Sequence, residues 1–352
     1  MGTDIKTKKI AMLGAGAIGS CVGADFTKAG LDVTIIDQWP EHVEFMKKNG
    51  LDITFPDEHL QIPVTAWHLC ELAEHMPAFD CVFMAVKSYD TRWMASLIEP
   101  YLKDDGYFVG LQNGMNNPTI VDVIGKERVI GACVELSADM FKGPGYVKRD
   151  TTRPGTWFGL GELDGSTTDR LQEAKAIMES VAHITLTDNI EGAKWTKLIA
   201  NTMTMGPIGV TGLKNYDARE LPGMTDFAVG LGRESLEVGK ALGYQIEPIF
   251  GMTAEEFAGA SDETLKKTML KLQEHTGKDS ITTSIMDYVK GRKSEMSLIN
   301  GLVAKEGKRL DIPVTHNAAV TEVDRQLNAK EIDLDPSNFG LLKSIVDSIP
   351  NR

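Results

Sequence analysis

The sequence predicts an α/β protein: a doubly wound parallel sheet followed by an all-helical second domain. Three observations lead there. Short β-rich runs alternate with helical ones through the first half, the alternation stops near residue 188, and helical periodicity carries the remainder. Strands that alternate with helices are joined by crossovers and therefore lie parallel. The 352 residues exceed a common domain of roughly 100–200, so two cores are expected, in residues 1–188 and 189–352.

Taken in order, residues 9–13 (KIAML) form a continuous apolar run, the pattern of a strand buried on both faces. Residues 19–29 read as a helix, 32–36 (DVTII) as a second strand and 42–48 as a helix. Further strands are expected at 81–86 (CVFMAV), 107–111 (YFVGL) and 128–134 (RVIGACV). Residues 148–163, rich in Thr and Gly and carrying Trp157 and Phe158, read as an antiparallel addition to one edge. Helical periodicity then covers 193–205, 217–242, 262–275, 297–310 and 316–327. The apolar stripe of 217–242 suits a core or a homodimer interface equally well. Residues 248–283 are unusually polar, with turn residues around one amphipathic helix, and form either a lid or a decorated surface excursion.

Composition limits the partners. The 37 Lys and Arg against 50 Asp and Glu give a net charge of −13, which repels phosphate backbones and anionic lipid. Neither nucleic acid nor a membrane is an expected partner, whereas a small anionic substrate held by local cations and backbone amides is compatible. The four cysteines, Cys21, Cys70, Cys81 and Cys133, lack C-x-x-C or His-rich spacing, so they read as small buried residues and no metal site is expected. No apolar run reaches the 18 or so residues of a membrane span, and no signal-type apolar core precedes the first strand. A cytoplasmic location with reduced thiols is expected.

Gly14-Ala15-Gly16-Ala17-Ile18-Gly19 is G-x-G-x-x-G placed directly after a strand and before a helix. In that context the first glycine permits the tight turn, the second lets backbone approach a pyrophosphate, and the third lets helix pack on strand. The free amides of the helix start, at Ala17 and Ile18, then meet the negative charge. This is the signature of a Rossmann-type dinucleotide site. Asp37 ends the second strand, where its carboxylate can accept hydrogen bonds from ribose hydroxyls and would repel a 2′-phosphate. No Arg stands at positions 37–39, so NAD(H) is expected over NADP(H). Asp37 could instead simply begin a turn, and Trp39 is expected to pack rather than cover the adenine.

A bound nicotinamide would carry the hydride, so the protein must move the proton at the reacting oxygen. In Trp195-Thr196-Lys197-Leu198-Ile199-Ala200-Asn201, helical spacing puts Lys197 and Asn201 on one face with Thr204 close by. Trp195, Leu198, Ile199 and Thr202 line the other. The alternative is a lysine on a solvated helix face. Val86-Lys87-Ser88 and Leu111-Gln112-Asn113-Gly114 each follow a predicted strand at its carboxyl end, where such sheets bind ligands. Asn113 there can donate to a carbonyl or a ribose hydroxyl.

The order GAGAIG, AVKSYDT, LQNGMNN, WTKLIAN, then TTSIMDYVKGRKSE with LINGLVAKEGKRLDIP resembles the ketopantoate reductase (2-dehydropantoate 2-reductase) family over nearly the whole chain. The resemblance implies a Rossmann domain, a helical second domain and an active site in the cleft between them. It assigns the catalytic lysine to Lys197 and its companion glutamate to Glu295. It assigns the asparagine meeting cofactor and substrate to Asn113, a cofactor-side lysine to Lys87 and a substrate-binding asparagine to Asn201. The family's carboxylate-binding serine falls on Thr283, or on Ser284 if shifted by one.

Three departures concern specificity. The second substrate asparagine is replaced by Met205, a flexible thioether, and a site lacking that hydrogen bond no longer selects for a substrate hydroxyl. Asp37 stands where family members usually carry a basic residue for NADPH, and the 248–283 stretch is added. The expectation is hydride exchange between NAD(H) and a small 2-hydroxy or 2-oxo acid, a sugar acid among the candidates, with Lys197 as general acid and base. The alternatives are NADPH-dependent ketopantoate reduction in pantothenate biosynthesis and, from another class, a non-catalytic dinucleotide-sensing module.

Overall fold

The protein was analysed as a computed structural model, which describes residues 5–247, 261–267 and 280–349. Two compact units divide after Ile190. In the first, eight strands form one sheet in the order β12-β11-β8-β7-β6-β1-β2-β5. These are β1 (Lys9–Leu13), β2 (Asp32–Asp37), β5 (Thr65–His68), β6 (Phe79–Met84), β7 (Leu102–Gly110), β8 (Val129–Glu135), β11 (Trp157–Glu162) and β12 (His183–Leu186). The six strands from β5 to β8 run parallel. Their order reverses beside β1, which opens a crevice at the carboxyl ends of β1 and β6. Helices α1 (Ala17–Lys28), α2 (Pro40–Asn49), α3 (Glu71–His75), α4 (Thr91–Ile98), α5 (Asn117–Ile124) and α6 (Asp169–Met178) connect the strands.

Strand residues alternate between two cores because successive side chains point to opposite faces. Ile10 and Met12 join one cluster with Phe26, Ile35 and Phe83, while Ala11 and Leu13 join the other with Ile36, Phe108 and Ile120. A second sheet, ordered β4-β3-β10-β9, contains β3 (Leu51–Thr54), β4 (His59–Ile62), β9 (Ala138–Asp139) and β10 (Tyr146–Arg149). The expected antiparallel edge is therefore corrected in part. Residues 157–162 pair antiparallel with β8, but β12 lies outside them and residues 146–149 belong to the second sheet. The cysteine reading also needs one correction: Cys21, Cys81 and Cys133 are buried, whereas Cys70 is exposed.

The second unit is built from α7 (Ile190–Gly209), α8 (Asn215–Arg219), α9 (Met224–Ala241), α10 (Thr283–Val289), α11 (Asn300–Arg309), α12 (Thr315–Asn328) and α13 (Asn338–Ser348). Its core gathers Val210, Phe227, Leu231, Val320, Val323 and Phe339. The single helix expected over 217–242 is two, because Pro222 and Gly223, the latter with φ +88°, break it before Met224. Most of the polar 248–283 excursion lies outside the described residues, as does the end of the helix expected at 262–275. Of its described residues, the helical 262–267 rest on α9. Leu265 is fully buried there, Arg233 pairs with Asp262, and Lys266 reaches Asp226 at 2.9 Å. Among the described residues no helix is long and apolar enough to cross a membrane.

Candidate functional site

The G-x-G-x-x-G turn sits between β1 and α1. Gly14 takes φ +90°, and a Cβ there would lie 2.6 Å from Val86 Cγ1; a Cβ on Gly19 would lie 1.8 Å from the Gly14 carbonyl oxygen. Both positions therefore require glycine. Gly16 is different: a Cβ would meet nothing within 4 Å, so its face is open. Gly16 is also the N-cap of α1, with no side chain capping the helix amides. An open backbone approach next to uncapped amides fits a dinucleotide pyrophosphate. Gly14, Gly16, Ala17, Ile18 and Gly19 are the residues that would hold it.

Asp37 closes β2 and is nearly buried. One carboxylate oxygen accepts the Ala15 amide at 2.5 Å and the other the Trp39 amide at 2.8 Å. The side chain thus fastens the glycine turn to the end of β2 and also starts a turn of its own. Each oxygen retains a further acceptor direction for a ribose hydroxyl. Trp39 packs against the core and stacks on His42 with ring centroids 5.4 Å apart.

Lys87 and Asn113 stand on the loops after β6 and β7, and a buried polar network joins those loops. The Gln112 amide donates to the Val86 carbonyl at 2.8 Å and to Thr91 Oγ1 at 2.9 Å. Asn116 Nδ2 donates to the Asn113 carbonyl at 2.6 Å and to Ser88 Oγ at 3.1 Å, and Ser88 Oγ donates to the same carbonyl at 3.2 Å. Gly114, at φ +77°, turns the chain beneath. Sequence reasoning missed Ser88, Gln112 and Asn116 as supports, although all three lie within the motifs that mark the two loops.

In the second unit, α7 carries Lys197, Asn201 and Met205 at successive steps of four residues. Trp195 fixes the helix from behind by donating to the Ser235 carbonyl at 3.0 Å and stacking on Tyr244 at 4.8 Å. Thr202 Oγ1 meets Ser235 Oγ at 2.9 Å. Lys197 is half-buried, whereas Asn201 and Met205 are 6% and 8% exposed. Ser284 Oγ donates to the Met205 carbonyl at 2.7 Å and contacts Thr282 Oγ1 at 2.8 Å, so its hydroxyl is committed to packing α10 on α7. Thr283 Oγ1 is buried and has no hydrogen-bond partner among the described residues. Of the two hydroxyls expected here, that of Ser284 is engaged and that of Thr283 is not.

Glu295 is buried just ahead of a short 3-10 turn, Met296–Leu298. Its neighbour Ser294 is clamped by Asp324 Oδ1, which also accepts the Tyr288 hydroxyl at 2.6 Å, and by Asn328 Oδ1 at 3.2 Å from the Ser294 amide. Burial pushes the Asp324 carboxyl up while the hydroxyl donors pull it down. Asn300, at the start of α11, donates to the Thr202 carbonyl at 3.3 Å and ties this segment to α7.

A Rossmann-type unit opening on a G-x-G-x-x-G turn, followed in the chain by a helical unit with Lys197 half-buried on its first helix, is the plan of an NAD(P)-dependent oxidoreductase acting on a CH–OH group. The comparisons specify the family. The model described as ketopantoate reductase PanE/ApbA matches residues 10–162, and its C-terminal companion matches 189–328; the chain belongs to this family. It is 24% identical over 330 residues to a 2-dehydropantoate 2-reductase of Archaeoglobus fulgidus, covering 91% of this chain and 98% of the relative. A PanE/ApbA family ketopantoate reductase structure from Ralstonia eutropha JMP134 superposes with TM-score 0.76 at 26% identity, over 92% of this chain and 99% of the other. The ternary structure of D-mandelate dehydrogenase with NADH and anilino(oxo)acetate superposes with TM-score 0.78 at 21% identity, over 92% and 98%. The second family match covers the helical unit as far as residue 328, a unit which a dinucleotide-sensing module would not need.

Proposed function

We propose that the protein exchanges a hydride between NAD(H) and a small 2-hydroxy or 2-oxo acid other than ketopantoate. The observation that carries the cofactor half is Asp37, a carboxylate held at the end of β2 by the Ala15 amide, with no basic residue at positions 37–39. A 2′-phosphate there would face a fixed negative charge. The D-mandelate dehydrogenase relative, whose structure contains NADH, is in keeping with this. The substrate half rests on Met205, nearly buried where the resemblance expects an asparagine, with its carbonyl engaged by Ser284.

A dinucleotide held by Gly14, Gly16, Ala17, Ile18 and Gly19 with Asp37 would supply or take up the hydride. In reduction, Lys197 donates a proton to the substrate oxygen; in oxidation, its neutral amine takes the proton back. Asn201 and Asn113 orient the substrate, and Thr283 Oγ1 donates to its carboxylate. Glu295 stands with Lys197 as the acidic member of the site, and Lys87 serves the cofactor side.

The second reading is NADPH-dependent 2-dehydropantoate 2-reductase, favoured by the name that the Archaeoglobus relative carries over 98% of its length. An initial-rate screen separates the two. NAD and NADP are offered with 2-hydroxy acids and sugar acids, then NADH and NADPH with 2-oxo acids including ketopantoate. Turnover confined to NAD(H) with another acid is the expected result, and efficient NADPH-dependent reduction of ketopantoate refutes it.

A further inference from the structure

We infer that His42 is a positioning residue for the dinucleotide, holding the glycine turn in its phosphate-binding shape; this rests on the reading of Gly14–Gly19 as the cofactor turn. His42 lies on α2 and is completely buried. The Gly145 backbone amide sits 2.9 Å from its Nδ1, and the Ala15 carbonyl sits 2.8 Å from its Nε2. A backbone amide only donates and a carbonyl only accepts. The two contacts therefore fix one tautomer: Nδ1 is the acceptor, and Nε2 carries the proton it gives to Ala15.

Ala15 lies between the first two glycines of the motif, and three side chains hold its peptide groups. Its carbonyl accepts from His42 and from Ser20 Oγ at 2.8 Å, and its amide donates to Asp37. In a planar trans peptide the carbonyl and the following N–H point in opposite directions. Drawing the Ala15 carbonyl toward the buried imidazole therefore turns the Gly16 N–H away from it. Gly16 is also the residue whose face is open. On its other side, His42 reads the small sheet, since Gly145 immediately precedes β10 and its carbonyl accepts the Asp52 amide of β3 at 2.9 Å. The ring thus links that sheet to the turn, reaching Gly145 across 103 residues of sequence.

Two conservative variants divide its two hydrogen bonds. His42→Asn puts an amide oxygen near the Nδ1 position, keeping an acceptor for Gly145 and losing the donor to Ala15. His42→Gln extends an amide N–H toward the Nε2 position and restores that donor. NADH dissociation constants from fluorescence titration, with kcat, KM for NADH and thermal midpoints beside them, are the readouts. Losing one hydrogen bond that orients the turn weakens NADH binding about three- to tenfold, seen in Kd and KM rather than kcat, for His42→Asn. His42→Gln recovers most of that loss. Wild-type Kd in both variants overturns the inference, and so does an equal loss in both that follows the thermal midpoint. Gly16→Val is the control on the underlying reading, because its Cβ meets nothing within 4 Å and its side chain fills the pyrophosphate approach. If Gly16→Val binds NADH normally, the turn is not the cofactor site and the role of His42 falls with it. If Gly16→Val weakens binding while His42→Asn does not, the inference about His42 alone fails.

Discussion

Replacing Thr283 and Ser284 one at a time should separate recognition from packing. Thr283 Oγ1 is buried without a partner among the described residues, a state that costs roughly 1–3 kcal/mol. Thr283→Val keeps the shape and removes the orphan, so the folded state should lose nothing and gain up to about 1–3 kcal/mol. The same change removes the donor proposed for the substrate carboxylate. A hydrogen bond to a charged group contributes about 1.5–3 kcal/mol, so KM for a 2-oxo acid should rise roughly 10- to 100-fold. Ser284→Ala should do the reverse. It loses the 2.7 Å bond to the Met205 carbonyl and the 2.8 Å contact with Thr282, about 1–3 kcal/mol together at 0.5–1.5 each, and KM should change about twofold or less. Urea denaturation measures the first quantity, and initial rates at saturating NADH measure the second. A large KM effect in Ser284→Ala with none in Thr283→Val would refute the assignment and place the carboxylate on Ser284.

Lys197→Ala should lose several orders of magnitude in kcat while NADH titration shows unimpaired binding; near-normal turnover removes the lysine from the mechanism. Asp37→Asn should lower the NADH-to-NADPH ratio of kcat/KM about tenfold, the scale of one charge-assisted hydrogen bond, and an unchanged ratio refutes the NAD reading. Arg149→Met should destabilise the first unit by about 3 kcal/mol, because Arg149 and Asp25 are a fully buried pair 2.9 Å apart and breaking such a pair strands a charge. Arg153 also binds Asp25, which keeps the loss at the lower end, and a midpoint unchanged in urea would show the pair to be dispensable. A thiol reagent at mild pH should modify Cys70 quickly and the other three cysteines only after unfolding. Burial pushes the Cys21 thiol up to about 12 and raises that of Cys81 as well, so more than one fast thiol contradicts the packing.

The main sheet was legible because its strands are covered on both faces. KIAML and CVFMAV are nearly unbroken apolar runs, and β1 is buried at all but its first residue. The second sheet was not legible for the opposite reason. Strand β4 alternates exposed and half-buried residues, β3 is four residues long, and β10 pairs with β3 across almost a hundred residues of sequence. Such strands are fixed by their partners, not by their own pattern. The break at Pro222–Gly223 was available from the sequence, since Pro and Gly together stop a helix, but the apolar stripe on either side concealed it.

The same distinction governs the site. A phosphate turn is local: its glycines, the preceding strand and the following helix lie within about twenty residues, so spacing alone reveals it. The commitment of a polar side chain is not local. Whether Ser284 is free for a ligand depends on a carbonyl 79 residues earlier, and whether Asp37 is a ribose acceptor or a structural tie depends on the amide of Ala15, 22 residues before it. Both turn out to be engaged, with different consequences. A serine hydroxyl has one proton, so the Met205 carbonyl uses up its capacity as a donor to a carboxylate. A carboxylate accepts through two oxygens with room for about four bonds, so Asp37 can fasten the turn and still receive a ribose hydroxyl. Donor and acceptor capacity, rather than residue type, is therefore what favours Thr283 over Ser284 in the proposed substrate site and leaves Asp37 compatible with the proposed cofactor role.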